Sequence, residues 1–205
     1  LAELILGLKS QSLELKPMLD QLGPKEGLSR RFSKEDLDAI FTSILNYLSY
    51  EANNADRTTK QSKLEDICYL YEWGLENHLF TIDGRMNPIH YGNILTAFTT
   101  ANQLETADFY ADKLRKYLHH DVKMDLYLLK KAQIRFKLKD FEGAKDYVEG
   151  VQSKNPSFSL RKKYLSFQLL YESYGTNHQS LKAAKGELKK GLHAIYEFIR
   201  TQGKK

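Results

Sequence analysis

The chain has 205 residues, 41% hydrophobic and 12% aromatic, which is enough apolar surface to bury a substantial core. Only 4 prolines and 12 glycines punctuate it, so long helices with little or no sheet are expected. The single cysteine, Cys68, excludes an internal disulfide and a zinc centre built on several thiolates. No apolar run approaches the ~18 residues of a membrane span, so we read neither a span nor a signal peptide and expect a reducing, cytoplasmic setting.

The net charge of +5 is unevenly spread, because residues 1–102 carry 10 Lys+Arg against 14 Asp+Glu and residues 103–205 carry 21 against 12. A basic half attracts acidic peptides, nucleic acid or anionic membrane, and charge alone does not choose among them.

In chain order, residues 1–22 form an N-terminal helical segment, interrupted at Gly7 and Pro17 and ended by Gly23-Pro24. Leu1, Leu4, Ile5 and Leu8 already run at helical spacing, so the chain is read as starting inside an element and as a fragment of something longer. Residues 33–86 are expected to form a helical hairpin. Ser33 caps its first helix, Glu35 and Asp36 complement the positive helix end, and Leu37, Ile40, Phe41, Ile44, Leu45 and Leu48 form the apolar stripe to about Ala52. Asn53 to Thr59 reads as a long polar loop. A second helix near residues 60–78 carries Leu64, Ile67, Cys68, Tyr71 and Leu75, and a connection from Thr81 to Met86 follows.

Asn87-Pro88 opens a more regular series, with a capping side chain just before a proline in the first turn. Further amphipathic helices are expected near residues 88–101, 104–118, 122–138, 141–152, 157–174 and 178–201, joined by short loops that imply antiparallel neighbours.

Internal similarity favours an open stack over a closed bundle. Asn102-Gln103-Leu104-Glu105-Thr106-Ala107 and Lys139-Asp140-Phe141-Glu142-Gly143-Ala144 occupy the same place between helices, with Ala107 and Ala144 37 residues apart. The segment from Lys139 to Tyr147, with Ala132 in the helix before it and Pro156 closing the unit, resembles the turn of a tetratricopeptide (TPR) repeat. The unit upstream is similar through Tyr91, Ile94 and Phe98, with Leu95 in place of a small residue, and Arg135 stands where an aromatic residue is usual. Over residues 88–200 the resemblance implies an all-α, right-handed α-α superhelix of antiparallel hairpins and a single helical-repeat domain over residues 1–205. It also implies a protein or peptide ligand in a concave groove. Matched against the family, Asn93, Thr96, Lys130, Gln133, Lys137, Lys162 and Ser166 face that groove. Some members grip a C-terminal carboxylate with two Asn, a Lys and an Arg. Here Asn93 and Lys162 match, but Lys130 and Ser166 replace the second Asn and the Arg, so that clamp is incomplete.

Lys113, Arg115, Lys116, Lys123, Lys130, Lys131, Lys137 and Lys139, interleaved with Tyr110, Tyr117 and Tyr127, admit an alternative: a nucleic-acid-binding helical repeat using the basic half. Lysines on helix faces are ordinarily solvated, and tyrosines at three- and four-residue spacing ordinarily pack between helices. His119-His120-Asp121 reads as imidazoles near a helix end, not as a metal site, and Glu72 with Glu76 as a solvated edge. With no phosphate loop, nucleophile elbow or paired-His motif, no enzyme and no cofactor is expected, and Cys68 reads as a small core residue. The expected function is therefore a protein-interaction scaffold that binds a protein or peptide, acidic segments among those it would admit.

Overall fold

The computed structural model describes residues 15–22, 32–174 and 178–202, and 82% of these are helical. The described α-helices are α1 (Leu15–Leu22), α2 (Lys34–Asn54), α3 (Arg57–Glu76), α4 (Pro88–Thr100), α5 (Leu104–Leu114), α6 (His120–Lys137), α7 (Phe141–Gly150), α8 (Pro156–Ser173) and α9 (His178–Gln202). Among the described residues the protein is all-α apart from one short ladder. The chain before Leu15 and the Gly23-Pro24 break lie outside the described residues.

Side-chain caps set most of the starts. Ser33 Oγ accepts from the Asp36 amide while Asp36 accepts from the Ser33 amide, a reciprocal capping box. Asn87 and Asn155 accept from the amides two residues on and are each followed by proline at the first helical position. Asp56 accepts from the amides of Thr58 and Thr59, which corrects the long loop expected over 53–59. Asn53 and Asn54 finish α2, Arg57 to Thr59 start α3, and only Ala55 and Asp56 connect them.

Three turns share one geometry. His78, Asn102 and Lys139 have φ of 55°, 60° and 63°, and each is followed by an amide donating back across the helix end: Leu79 to Gly74 O at 2.9 Å, Gln103 to Phe98 O at 2.8 Å, Asp140 to Arg135 O at 3.0 Å. This is the Schellman closure, here with non-glycine residues in the left-handed position. The two turns that carry the internal sequence similarity, at Asn102 and Lys139, are therefore alike in backbone as well.

Residues 81–86 contain a small sheet where none was expected. Thr81–Ile82 (β1) pairs antiparallel with Arg85–Met86 (β2), and Asp83 and Gly84, at φ 49° and 73°, make the turn. Two consecutive positive φ values are what a two-residue primed hairpin turn requires, and Asp-Gly is a favoured pair for it.

Contacts divide the chain into two compact units, residues 1–103 and 104–205. In the first, α2 and α3 form an antiparallel hairpin, and α1 and α4 pack on α3. Phe41 stacks on Trp73 at 5.5 Å between ring centroids and meets Phe80 edge-on at 5.9 Å. Cys68 of α3 is buried, and burial pushes its thiol up to about 12, with Glu72 and Glu65 adding to the shift.

In the second unit α6 and α7 form a hairpin, α8 lies against both, α9 packs on α8, and α5 packs on α6. Its core joins Leu129, Ala132, Val148, Val151 and Leu165. Ala107 and Ala144, the small residues of the two repeated turns, are both fully buried.

Candidate functional site

Each unit carries one groove that includes residues expected to face a ligand. In the first unit the groove holds about 540 Å³ between α2, α3 and α4 and includes Asn93 and Thr96. Its walls are two matching stripes. Thr42, Asn46, Ser49 and Asn53 run along α2, and Ile89, Asn93, Thr96 and Thr100 along α4, each at spacings that put four residues on one helical face. All eight are exposed. Leu64 and Ile67 of α3, with Leu45 and Ala97, supply an apolar floor. The Thr96 hydroxyl donates to Gly92 O at 2.7 Å.

Apart from Lys60 and His90, the lining of this groove is uncharged, and His90 Nε2 lies 3.8 Å from Asp38. Carboxamides and hydroxyls both donate and accept, which suits the amide groups of a peptide backbone, while the floor suits apolar side chains.

The groove of the second unit holds about 680 Å³ along α8 and includes Lys162 and Ser166, with Lys163, Phe167 and Leu170 beside them and Gly191 and Ala194 of α9 opposite. Lys162 is already engaged. Its ammonium donates to Val151 O at 2.5 Å and Glu149 O at 3.4 Å, neutralising the carbonyl end of α7. Gln133 is half-buried and Lys137 exposed on α6, both outside the lining of this groove.

Lys130, expected to face the groove as a cation, is only 7% exposed. Burial, reinforced by Arg161, pushes its ammonium down to about 8. Because this value lies below the ordinary 10.5, the charged form is disfavoured in the fold, and stability rises with pH between the two values. Lys130→Met should therefore remove a pH-dependent term: between pH 7 and 9 the wild type is expected to gain about 1 kcal/mol relative to the variant. Parallel denaturation curves with no such difference would contradict it. Comparing the two proteins cancels the opposing ionisation of Cys68, which both share.

Lys131, next in the chain, is 2% exposed and donates to Asp108 at 2.6 Å and Asp112 at 2.9 Å. Arg135 bonds Asp108 at 2.8 Å, the Tyr127 hydroxyl donates to Asp112 at 2.8 Å, and the Arg115 guanidinium sits 4.3 Å over the Tyr127 ring. Burial pushes the Asp112 carboxyl up, but the bonds from Lys131 and Tyr127 outweigh it and hold the group below its usual range. Of the cations that suggested a basic surface, Lys131 and Arg115 are thus committed to partners on α5 and α6.

No protein-family model matches this chain, and no curated protein or solved structure shows significant similarity to it. The reading of its surface rests on its own geometry.

The polar stripe of α2 was missed in the sequence, although Thr42, Asn46, Ser49 and Asn53 repeat at helical spacing opposite the apolar stripe. His119 is exposed, while the side chains of His120 and Asp121 lie outside the described residues. Glu72 is half-buried rather than fully solvated, and burial, followed by the charge of Glu76, raises its carboxyl. Among the described residues no helix is long and apolar enough to cross a membrane.

Proposed function

We propose that the chain is a protein-interaction module, a TPR-like superhelix of helical hairpins that holds an extended peptide segment of a partner in the groove of residues 1–103. The observation that carries the reading is the pair of uncharged stripes on α2 and α4, polar at Thr42, Asn46, Ser49 and Asn53 and at Asn93, Thr96 and Thr100, over an apolar floor. An extended chain offers alternating amide groups and side chains, and such a groove offers both kinds of complement. The groove along α8, edged by the exposed Lys163, adds a preference for acidic segments. The lone buried thiol fits a cytoplasmic setting.

The test is capture from nuclease-treated lysate with wild type and with Asn93→Trp/Thr96→Trp. Both positions are exposed, so the indoles fill the groove without disturbing the core. A partner peptide recovered by the wild type is expected to lose roughly ten-fold or more in affinity for the variant. Unchanged affinity would exclude the groove, and material lost on nuclease treatment would bring the nucleic-acid reading forward.

A further inference from the structure

Helix α9 carries two seams. Glu187, Gly191, Ala194 and Phe198 form the first, turned toward α8: the Tyr174 hydroxyl donates to Glu187, Gly191 lies against Phe167, and Lys163 Nζ sits 5.8 Å from the Phe198 ring centroid. Leu188, Leu192, Ile195 and Ile199 form the second, at the alternating four- and three-residue spacing of a coiled-coil stripe. Leu188 and Ile195 are half-buried at its inner edge. Leu192 is 55% exposed, Ile199 54% and the neighbouring Tyr196 62%. Among the described elements the principal packing partner of α9 is α8, which meets the first seam at Gly191 and Phe198 while Glu187 and Ala194 stay exposed.

The charges along the second seam indicate what fits it. At about 100° per residue, Lys185, Lys189, Leu192, Tyr196 and Ile199 fall within an arc of roughly 80°. Both lysines are exposed. The described carboxylates of the helix lie elsewhere: Glu187 takes the Tyr174 hydroxyl, and Glu197 holds Arg200 at 2.6 Å. What remains is an apolar stripe edged by lysine with no carboxylate on its face. A second copy docking through this stripe would set lysine edge against lysine edge, and like charges across a helix pair oppose association.

We propose that the outer face of α9 docks an acidic amphipathic helix of another protein, with apolar residues at three- and four-residue spacing against Leu192, Tyr196 and Ile199 and carboxylates beside Lys185 and Lys189. The heptad spacing favours a helix over a lipid surface, which needs no such register. This face is separate from both grooves, so the two readings fail independently.

The probe is a synthetic helix of about three heptads with Leu at the seam positions and Glu on both flanks, compared with the same peptide carrying Lys on the flanks. Like charge keeps each peptide from pairing with itself. In fluorescence anisotropy the Glu peptide is expected to bind at least about ten-fold tighter than the Lys peptide, with the preference weakening in salt. Leu192→Ser/Ile199→Ser is expected to lower Glu-peptide affinity about ten-fold or more. Lys185→Glu/Lys189→Glu, which alters no apolar contact, is expected to reverse the peptide preference. Equal binding of the two peptides, no binding of either, or a preference that survives the charge reversal would overturn the proposal. So would wild type co-sedimenting with vesicles of about 30% phosphatidylserine while ignoring both peptides, an outcome that assigns the face to lipid.

Discussion

Replacing both Asp108 and Asp112 by Ala is expected to destabilise the unit of residues 104–205 by about 3–5 kcal/mol, whereas Lys131→Met is expected to be close to neutral. The asymmetry follows from where the charges lie. The Lys131 side chain is 2% exposed, while the Asp108 and Asp112 side chains are 22% and 56% exposed. Removing both carboxylates strands an ammonium in a dry site beside the Tyr147 ring, 5.8 Å away. Removing the ammonium instead leaves Asp108 with Arg135 and Asp112 with the Tyr127 hydroxyl, both with access to water. Methionine nearly reproduces the lysine stem and brings no charge to bury.

The pH dependence has a definite sign on each side. Asp112 is lowered from 3.8, so its contribution is present above that value and is lost as pH falls through its folded value. Burial lowers Lys131, but the bonds to Asp108 and Asp112 outweigh it and raise the group above 10.5; its contribution is full below 10.5 and lost as pH rises through the folded value. Above the Asp112 value the gap between wild type and the double variant should stay constant until the stranded Lys131 ammonium of the variant deprotonates, and from there it should narrow, because burial without its carboxylate partners lowers that group. Denaturation must be followed by circular dichroism, because the one tryptophan, Trp73, lies in the other unit. A Lys131→Met protein as unstable as the double Asp variant would mean that the ion pairs themselves, and not the avoidance of a stranded charge, hold α5 to α6.

Local signals in the sequence carried the helix starts and failed where the decision lay with another helix. Ser33 and Asn87-Pro88 act on amides within three residues, so their positions could be read directly; Asn155-Pro156 caps α8 in the same way, although the repeat register marks Pro156 only as closing a unit. The stretch 53–59 could not be told from a loop by composition, since polar residues also occupy exposed helix ends; the discriminating group is the Asp56 carboxylate. Thr81 to Met86 hid its ladder because two residues per strand carry no alternation to read, although Asp83-Gly84 is a turn signal. The repeat register selected Asn93, Thr96, Lys162 and Ser166, which line the two grooves, but gave no hint that Lys130 is buried with Arg161 of α8 nearby. Lys131 was more legible than it was taken to be. Asp108 and Asp112 are four residues apart, as are Lys131 and Arg135, two complementary pairs on consecutive helices.

Gly74, inside α3, sets how closely the aromatic core of the first unit can pack. A Cβ placed there would lie 2.5 Å from Phe80 Cε2, 2.7 Å from Phe80 Cζ and 3.2 Å from Phe41 Cε1. Neither ring can easily retreat. Phe80 is buried against Tyr71 at 5.7 Å and His90 at 5.3 Å, and Phe41 is stacked on Trp73. Two effects compete in Gly74→Ala. Alanine favours the helix by about 1 kcal/mol, while overpacking a filled core costs about 1–3 kcal/mol, so a modest net loss is expected. Gly74→Leu adds three further carbons to the same space and is expected to cost about 3 kcal/mol. The clash has a named partner, which allows a sharper test. Phe80→Leu on its own should destabilise by leaving space, but combined with Gly74→Ala it supplies the room the new methyl needs, so the two costs should fall short of their sum by about 1 kcal/mol. Strictly additive losses in chemical denaturation, followed through Trp73 fluorescence, would mean that the methyl is accommodated by a shift of the helix and that Phe80 does not set the closest approach of α3 to the β1–β2 turn.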